Sequence, residues 1–109
     1  MVQEFKGNRR KWPREAVQIP AQYFIKNQST KYQDCTVINL SRNGAAVLFP
    51  VYEFLKAKVP IFLDLMVPRT VQQLSVRGEL KIKYRNRLGL VGGIQFESLL
   101  QEDVFSKFK

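Results

Sequence analysis

Short stretches in which apolar and polar residues alternate recur along this chain, and they constrain its fold more than any other sequence feature. The clearest stretch runs from about residue 74 to residue 85. Its predicted inward face carries Val76, Leu80, Ile82 and Tyr84, with Gly78 among them. Its predicted outward face carries Arg77, Glu79, Lys81, Lys83 and Arg85. Since a period of two belongs to a strand and not to a helix, this segment is predicted to be a half-buried β-strand.

The same alternation predicts five further strands, separated by polar, glycine or proline turns. The six predicted strands cover residues 16–25, 32–40, 45–49, 59–66, 74–85 and 90–96. Gly44 is expected to supply a positive φ in the turn at 41–44. The double glycine Gly92-Gly93 inside the last strand predicts a bulge, a sharp bend or the close approach of a ligand. Residues 51–58 fit either one helical turn or an irregular crossing.

An amphipathic pattern closes the chain and predicts a helix over about residues 99–108. Ser98 and Gln101 have the spacing of a capping box, and Glu102 and Asp103 suit the first turn of a helix. The side chains predicted to pack on the body are Leu100, Val104 and Phe108. Six short strands followed by one helix indicate an all-β fold, an antiparallel barrel or sandwich, with a C-terminal helix. This body is expected to cover residues 16–109, after a basic arm at residues 1–15.

Composition favours a binding module over an enzyme. The 109 residues carry a net charge of +9 and a pI near 10, which favours an anionic partner. The chain contains no histidine, which removes the commonest general base and the commonest transition-metal ligand. Its one cysteine, Cys35, has no histidine partner, and its nine carboxylates are scattered. We therefore expect no catalysis, no metal and no cofactor.

Two features bear on the compartment. No apolar run approaches the roughly 18 residues of a membrane-spanning helix, and Met1 is followed by a polar segment without the apolar core of a secretory signal. The lone Cys35 cannot form an internal disulfide, which fits a reducing compartment. The sequence thus predicts a cytoplasmic location.

The segment Arg9-Arg10-Lys11-Trp12-Pro13-Arg14 lies just ahead of the first predicted strand. Pro13 fixes its own φ and pushes the preceding residue toward an extended conformation, so the segment is not expected to be helical. Guanidinium groups suit planar, bidentate recognition of phosphate and of the O6/N7 edge of guanine. The arm is therefore a candidate for binding an anionic nucleotide, although taken alone it also fits a solvated basic tail.

A second candidate is the turn Asn39-Leu40-Ser41-Arg42-Asn43-Gly44. Asn39 and Ser41 lie two residues apart, so in an extended segment their side chains point the same way. The Asn39 amide oxygen and the Ser41 hydroxyl can accept hydrogen bonds from guanine N1–H and N2–H₂. Taken alone this is an ordinary turn between strands; together with the arm it supplies the complementary half of a guanine site.

These two motifs, in this order, resemble those of the PilZ family of bacterial cyclic di-GMP receptors. RxxxR stands here as Arg10-Lys11-Trp12-Pro13-Arg14, and [D/N]xSxxG stands as Asn39-Leu40-Ser41-Arg42-Asn43-Gly44. The segment Leu90-Val91-Gly92-Gly93-Ile94-Gln95-Phe96 is similar to the closing strand of the family. The resemblance runs from Arg9 to Phe108, and it implies a six-stranded antiparallel β-barrel with a C-terminal helix and a non-enzymatic second-messenger receptor.

The resemblance also implies roles for individual residues. Arg10 and Arg14 would hold phosphates and guanine Hoogsteen edges, Asn39 and Ser41 the remaining guanine edge, and Arg9 would stack on a second nucleotide in the same site. The cyclic di-GMP-binding residues so predicted are Arg9, Arg10, Arg14, Asn39, Ser41, Gly44 and Gly93. Asn39 stands where the family often has Asp, so a weaker hydrogen bond to guanine is expected. The arm is expected to become ordered when nucleotide binds and so to signal to a partner protein.

Two other functions remain open on the sequence. A small basic barrel can hold single-stranded nucleic acid, with Arg77, Lys81, Lys83 and Arg85 following its backbone. That face lacks interleaved aromatic residues, because Tyr84 is predicted to point inward, and this disfavours the alternative. The third possibility is a PilZ-like adaptor that acts only through protein contacts; the intact arginine and Asn/Ser motifs argue against it.

Overall fold

A computed structural model describes residues 12–49 and 58–109 of the chain. These described residues form six β-strands, one short α-helix and a final 3₁₀ turn, each strand within two residues of its prediction. The elements are β1 (Glu15–Ile25), β2 (Gln33–Leu40), β3 (Gly44–Phe49), β4 (Pro60–Met66), β5 (Gln73–Asn86), β6 (Gly89–Phe96), α1 (Glu102–Phe105) and the 3₁₀ turn Ser106–Phe108. The crossing predicted at 51–58 lies outside the described residues, apart from Lys58.

The six strands close into an antiparallel barrel in the order β1-β2-β3-β6-β5-β4, and β4 pairs back onto β1. The barrel expected from the family resemblance is therefore confirmed, and a sandwich is excluded. Closure pairs the backbone groups that the edge strands of an open sheet would expose.

The inward face of each strand fills the barrel with apolar side chains, as the alternation predicts. Tyr23, Ile25, Ile61 and Leu63 are almost inaccessible to solvent, and burial of each such side chain contributes about 1.5–3 kcal/mol. Tyr23 places its ring edge-on to Phe49, with 4.8 Å between ring centroids. Since side chains fill the interior, a ligand has to bind on the outer surface of the barrel.

Cys35 belongs to this core. Burial, with a smaller contribution from the charge of Asp34, raises the pKa of its thiol to about 12. The thiol therefore stays protonated at neutral pH, as expected for a packing residue and not for a nucleophile.

Strand β5 departs from its predicted pattern in its second half. Leu80 is fully buried, but Ile82 is 60% exposed and Tyr84 is 48% exposed, so the prediction that these two point inward is wrong. The cause is a β-bulge: Leu80 pairs with Ile94 while Ile82 pairs with the adjacent Gly93, which leaves one extra residue in β5. An extra residue reverses the alternation beyond it. The bulge expected at the double glycine thus lies in the neighbouring strand.

The C-terminal helix is shorter than predicted. It covers Glu102–Phe105, and the residue before it, Gln101, is extended and makes no side-chain cap, so the predicted capping box is wrong. Leu100 lies outside the helix, where its backbone N–H donates to the Arg42 carbonyl, 2.8 Å away, and ties this segment to the turn at residues 41–44. Leu100, Phe105 and Phe108 still join the barrel core.

The described residues contain no helix that is both long and apolar enough to cross a membrane.

Candidate functional site

A cavity of about 240 Å³ opens on the outer face of the barrel, where the start of β1 meets β2, β3, β5 and β6. The structure brings five of the seven predicted ligand-binding residues to its lining: Arg14, Asn39, Ser41, Gly44 and Gly93. The other two, Arg9 and Arg10, lie outside the described residues.

Strand register explains why residues so distant in sequence meet here. Arg14 directly precedes Glu15, which pairs with Leu40, so the arginine lies beside the first residues of the turn. Farther across the sheet, Asn39 pairs with Ala46, and Ala46 pairs with Gly93. The described end of the arm, the turn and the closing strand therefore share one surface.

Asn39 offers an unused hydrogen-bond acceptor to this cavity. Its Oδ1 is buried and has no hydrogen-bond partner among the described residues. A buried acceptor left unpaired costs about 1–3 kcal/mol, which a donor on a ligand would recover. A β-bulge between Val37 and Asn39 sets the position of the side chain.

Ser41 is buried and fixed within the turn. Its backbone N–H donates to the Gly44 carbonyl at 2.9 Å, and its hydroxyl donates to Asn43 Oδ1 at 2.7 Å. Because the hydroxyl proton is used inside the turn, the oxygen is left to accept a hydrogen bond from a ligand. Asn43 was not predicted as a site residue; its side chain orients Ser41.

Gly44 is required here for a different reason than predicted. Positive φ among the described glycines occurs at Gly89 and not at Gly44, so the expected left-handed turn residue is wrong. A Cβ at position 44 would instead collide with the backbone oxygen of Ile94. Glycine lets β3 and the turn approach β6, which brings Ser41 and Gly93 to the same cavity.

The charge of the cavity suits an anion. Arg14 and Lys81 line it, and no carboxylate is among the described residues of its lining. Lys81 Nζ lies 2.6 Å from Glu79 Oε1, an exposed ion pair that neutralises part of its charge. Arg14 thus supplies the larger share of the positive charge that the described residues bring to the cavity.

Sequence reasoning missed the side of the cavity that faces Asn39 across the sheet. Ile82 and Tyr84 line this side, and Ala46 lies between them and Asn39. The bulge in β5 turns both apolar side chains outward. The alternation of the sequence assigned them to the core. The double glycine, which pairs with Ile82 and Lys83, was a signal of an irregularity here, but it did not show that the extra residue lies in β5.

Trp12 connects the arm to the far end of the chain. The Arg42 guanidinium lies 4.7 Å from the centroid of the Trp12 ring, within the range of a cation–π contact. The same guanidinium donates from Nε to the Leu100 carbonyl at 2.7 Å. Arg42, inside the turn motif, therefore touches both the arm and the segment that leads into α1.

The predicted nucleic-acid track is partly neutralised. Arg77 forms an ion pair with Glu97 at 3.0 Å, and Lys81 forms the pair with Glu79. The argument from an inward-pointing Tyr84 fails, however, because Tyr84 is exposed.

Aromatic residues do meet elsewhere on the barrel surface. Phe24 packs against Tyr32 and Phe62, with ring centroids 5.4 Å and 6.3 Å apart. Two carboxylates lie on the same face, since Asp34 and Asp64 both pair with Gln22, two residues before Phe24 on β1. These carboxylates disfavour a phosphate backbone, and the one cation described on the cluster, the Arg77 guanidinium 5.5 Å from the centroid of the Phe62 ring, is paired with Glu97.

No group of three or more His, Cys, Asp or Glu side chains that could hold a metal ion occurs in residues 12–49 and 58–109. The lining of the cavity instead combines a cation, hydrogen-bond acceptors and apolar groups, a set suited to binding a nucleotide.

Comparison with known proteins agrees with this fold. The model of the PilZ domain family matches residues 8–106 of the chain. Among solved structures, the inhibitor of motility MotI/DgrA from Bacillus subtilis has a TM-score of 0.71 at 11% identity and is matched over 91% of this chain. The PilZ domain of CeSA from a cellulose-synthesizing bacterium has a TM-score of 0.61 at 16% identity, over 87% of this chain and 90% of its own.

The present chain spans about half of the motility inhibitor, 47% of its length. A search of curated proteins finds no significant match. At these identities the structural likeness concerns the fold, while the family model covers nearly all of the sequence. The chain belongs to the PilZ domain family, a family of cyclic di-GMP-binding and adaptor domains that are not enzymes.

Proposed function

We propose that this protein is a receptor for cyclic di-GMP and that the ligand binds in the cavity on the outer face of the barrel. One observation supports the proposal most: Arg14, Asn39 with its unpaired Oδ1, and Ser41 all line the same cavity. A cation for phosphate and two acceptors for the N–H groups of guanine are complementary to this ligand.

The proposed contacts follow from the chemistry of each group. Arg14, together with Arg10 of the arm, binds the phosphates and the O6/N7 edge of guanine, and Asn39 and Ser41 accept from N1–H and N2–H₂. Each charged hydrogen bond contributes about 1.5–3 kcal/mol net. Two or three of them with base stacking reach about −8 kcal/mol, which corresponds to micromolar affinity. Stacking of Arg9 on a second base would place two nucleotides in one site.

Binding is proposed to order the arm against the barrel and thereby to change the surface offered to a partner protein. The contact of Arg42 with both Trp12 and Leu100 supports this route, because a change in the arm reaches the C-terminal segment through one side chain. A cytoplasmic location is part of the same proposal.

Calorimetric titration tests the assignment. Cyclic di-GMP is expected to give saturable heat, whereas GTP and a short oligonucleotide are not. Arg14→Ala is expected to weaken cyclic di-GMP binding about ten- to hundredfold through loss of a charged hydrogen bond, without a change in thermal stability. Arg87→Ala is the matched control, since Arg87 is exposed and lies outside the cavity lining.

The alternatives give different results in the same titrations. Saturable heat with the oligonucleotide and a steep salt dependence would identify a nucleic-acid-binding barrel. Absence of heat with all three ligands would indicate an adaptor that works through protein contacts. Wild-type affinity in Arg14→Ala would remove that residue from the site.

A further inference from the structure

Ile82 and Tyr84 point outward, whereas the alternation of β5 without the bulge would bury both side chains. Two large apolar side chains stay 60% and 48% exposed, although burial of such a side chain is worth about 1.5–3 kcal/mol. The bulge that exposes them lies at the edge of the proposed ligand cavity. Neighbouring exposed apolar side chains that line a cavity together with a few polar groups are typical of a ligand-binding surface.

Strand pairing shows what these side chains face. One row of residues crosses the outer surface of four neighbouring strands, with Asn39 on β2, Ala46 on β3, Gly93 on β6 and Ile82 on β5. The two middle residues are the smallest, so the row forms a trough between Asn39 and Ile82. Three strand spacings of about 4.8 Å give the trough a length of roughly 14 Å, enough for a purine nucleoside.

Gly93 is necessary for this shape. A Cβ at position 93 would lie 2.9 Å from Ile82 Cγ1 and would displace that side chain. Tyr84 occupies the next outward position along β5, where it pairs with Val91. The trough therefore has a floor of small residues, a hydrogen-bond acceptor at one end and an aromatic ring and an aliphatic side chain at the other.

We propose that Ile82 and Tyr84 form the apolar wall against which one guanine of the bound dinucleotide packs, over the floor of Ala46 and Gly93. This inference rests on the proposed function and assigns ligand contacts to β5. A purine has apolar faces and a polar edge, so it can pack on the wall and floor while its edge reaches Asn39. Base–aromatic stacking tolerates every base, so Tyr84 strengthens binding while Asn39 selects guanine.

Equilibrium titration with cyclic di-GMP tests the wall. Tyr84→Ala is expected to weaken binding about tenfold, and Tyr84→Phe, which keeps the ring, is expected to stay within about twofold of wild type. Tyr32→Ala is the matched control, because Tyr32 is an exposed tyrosine outside the cavity lining. Ala46→Leu, which fills the floor without changing Tyr84, is expected to weaken binding at least tenfold.

The outcomes distinguish a failure of this inference from a failure of the proposed function on which it rests. If wild type binds cyclic di-GMP and both Tyr84→Ala and Ala46→Leu bind with the same affinity, the apolar wall is contradicted and the receptor function is not. Absence of binding by folded wild type would overturn both. If Tyr84→Ala lowers the thermal midpoint, Ala46→Leu decides the outcome, since wild-type affinity in that variant contradicts the trough.

Discussion

At the scale of single residues, Asn39 carries the most specific part of the proposed recognition of guanine. Its buried Oδ1 has no partner among the described residues, whereas the neighbouring Ser41 is already held by Asn43 and Gly44. The pair was predicted from its spacing, but the spacing does not show that the two side chains differ in this way. The difference arises from the bulge before Asn39, which leaves no mark in the local sequence, and from the hydrogen bonds that hold Ser41 inside the turn. The turn itself was predicted, but these bonds were not.

Two replacements of Asn39 are expected to change the affinity for cyclic di-GMP in opposite directions. Asn39→Asp should tighten cyclic di-GMP binding several-fold, because a carboxylate accepts a charge-assisted hydrogen bond about twice as strong as that of a neutral amide. Asn39→Ala should weaken it by about tenfold. Calorimetry with cyclic di-GMP measures both changes, and cyclic di-AMP serves as the control because adenine lacks the N1–H donor. Equal affinities in wild type and both variants would exclude Asn39 as the guanine contact.

At the scale of elements, the strands were predictable and the irregularities were not. Alternation located all six strands because each buries one face against a common core. It misplaced the second half of β5 because one inserted residue, revealed by the pairing of Leu80 and Ile82 with β6, reverses the faces. It also overextended the C-terminal helix, since the bond of Leu100 to Arg42 joins positions 58 residues apart.

Arg42, which makes this long-range contact, also lies against Trp12 of the arm, so the arm can be tested as an element. Cyclic di-GMP is expected to slow amide hydrogen exchange over residues 5–15, because the arm is proposed to order against the cavity when nucleotide binds. Arg42→Ala should reduce this protection, since Arg42 supports the Trp12 ring. Mass spectrometry of exchange with and without nucleotide measures both effects, and β4 serves as the internal control. Equal protection of the arm in the two states would exclude ordering as the signal.

At the scale of the whole molecule, a closed barrel with a filled interior leaves the outer face as the place for a ligand. The net charge of +9 predicts an anionic partner but does not locate it. The order of the strands in the barrel determines where the cavity lies, because it brings the residue before β1, the end of β2 and the middle of β6 to one surface. The family resemblance of the two motifs predicted that these segments lie together. The apolar side of the cavity was not predicted, because it depends on the pairing of β5 with β6.

The most direct test is a map of backbone amide chemical shifts during titration of the full chain with cyclic di-GMP. The account predicts saturable shifts that are largest at Arg14, at residues 39–46, at residues 82–84 and at Gly93. Shifts that instead cluster on the other side of the barrel, around Phe24, Tyr32 and Phe62, or no saturable shifts at all, would contradict it.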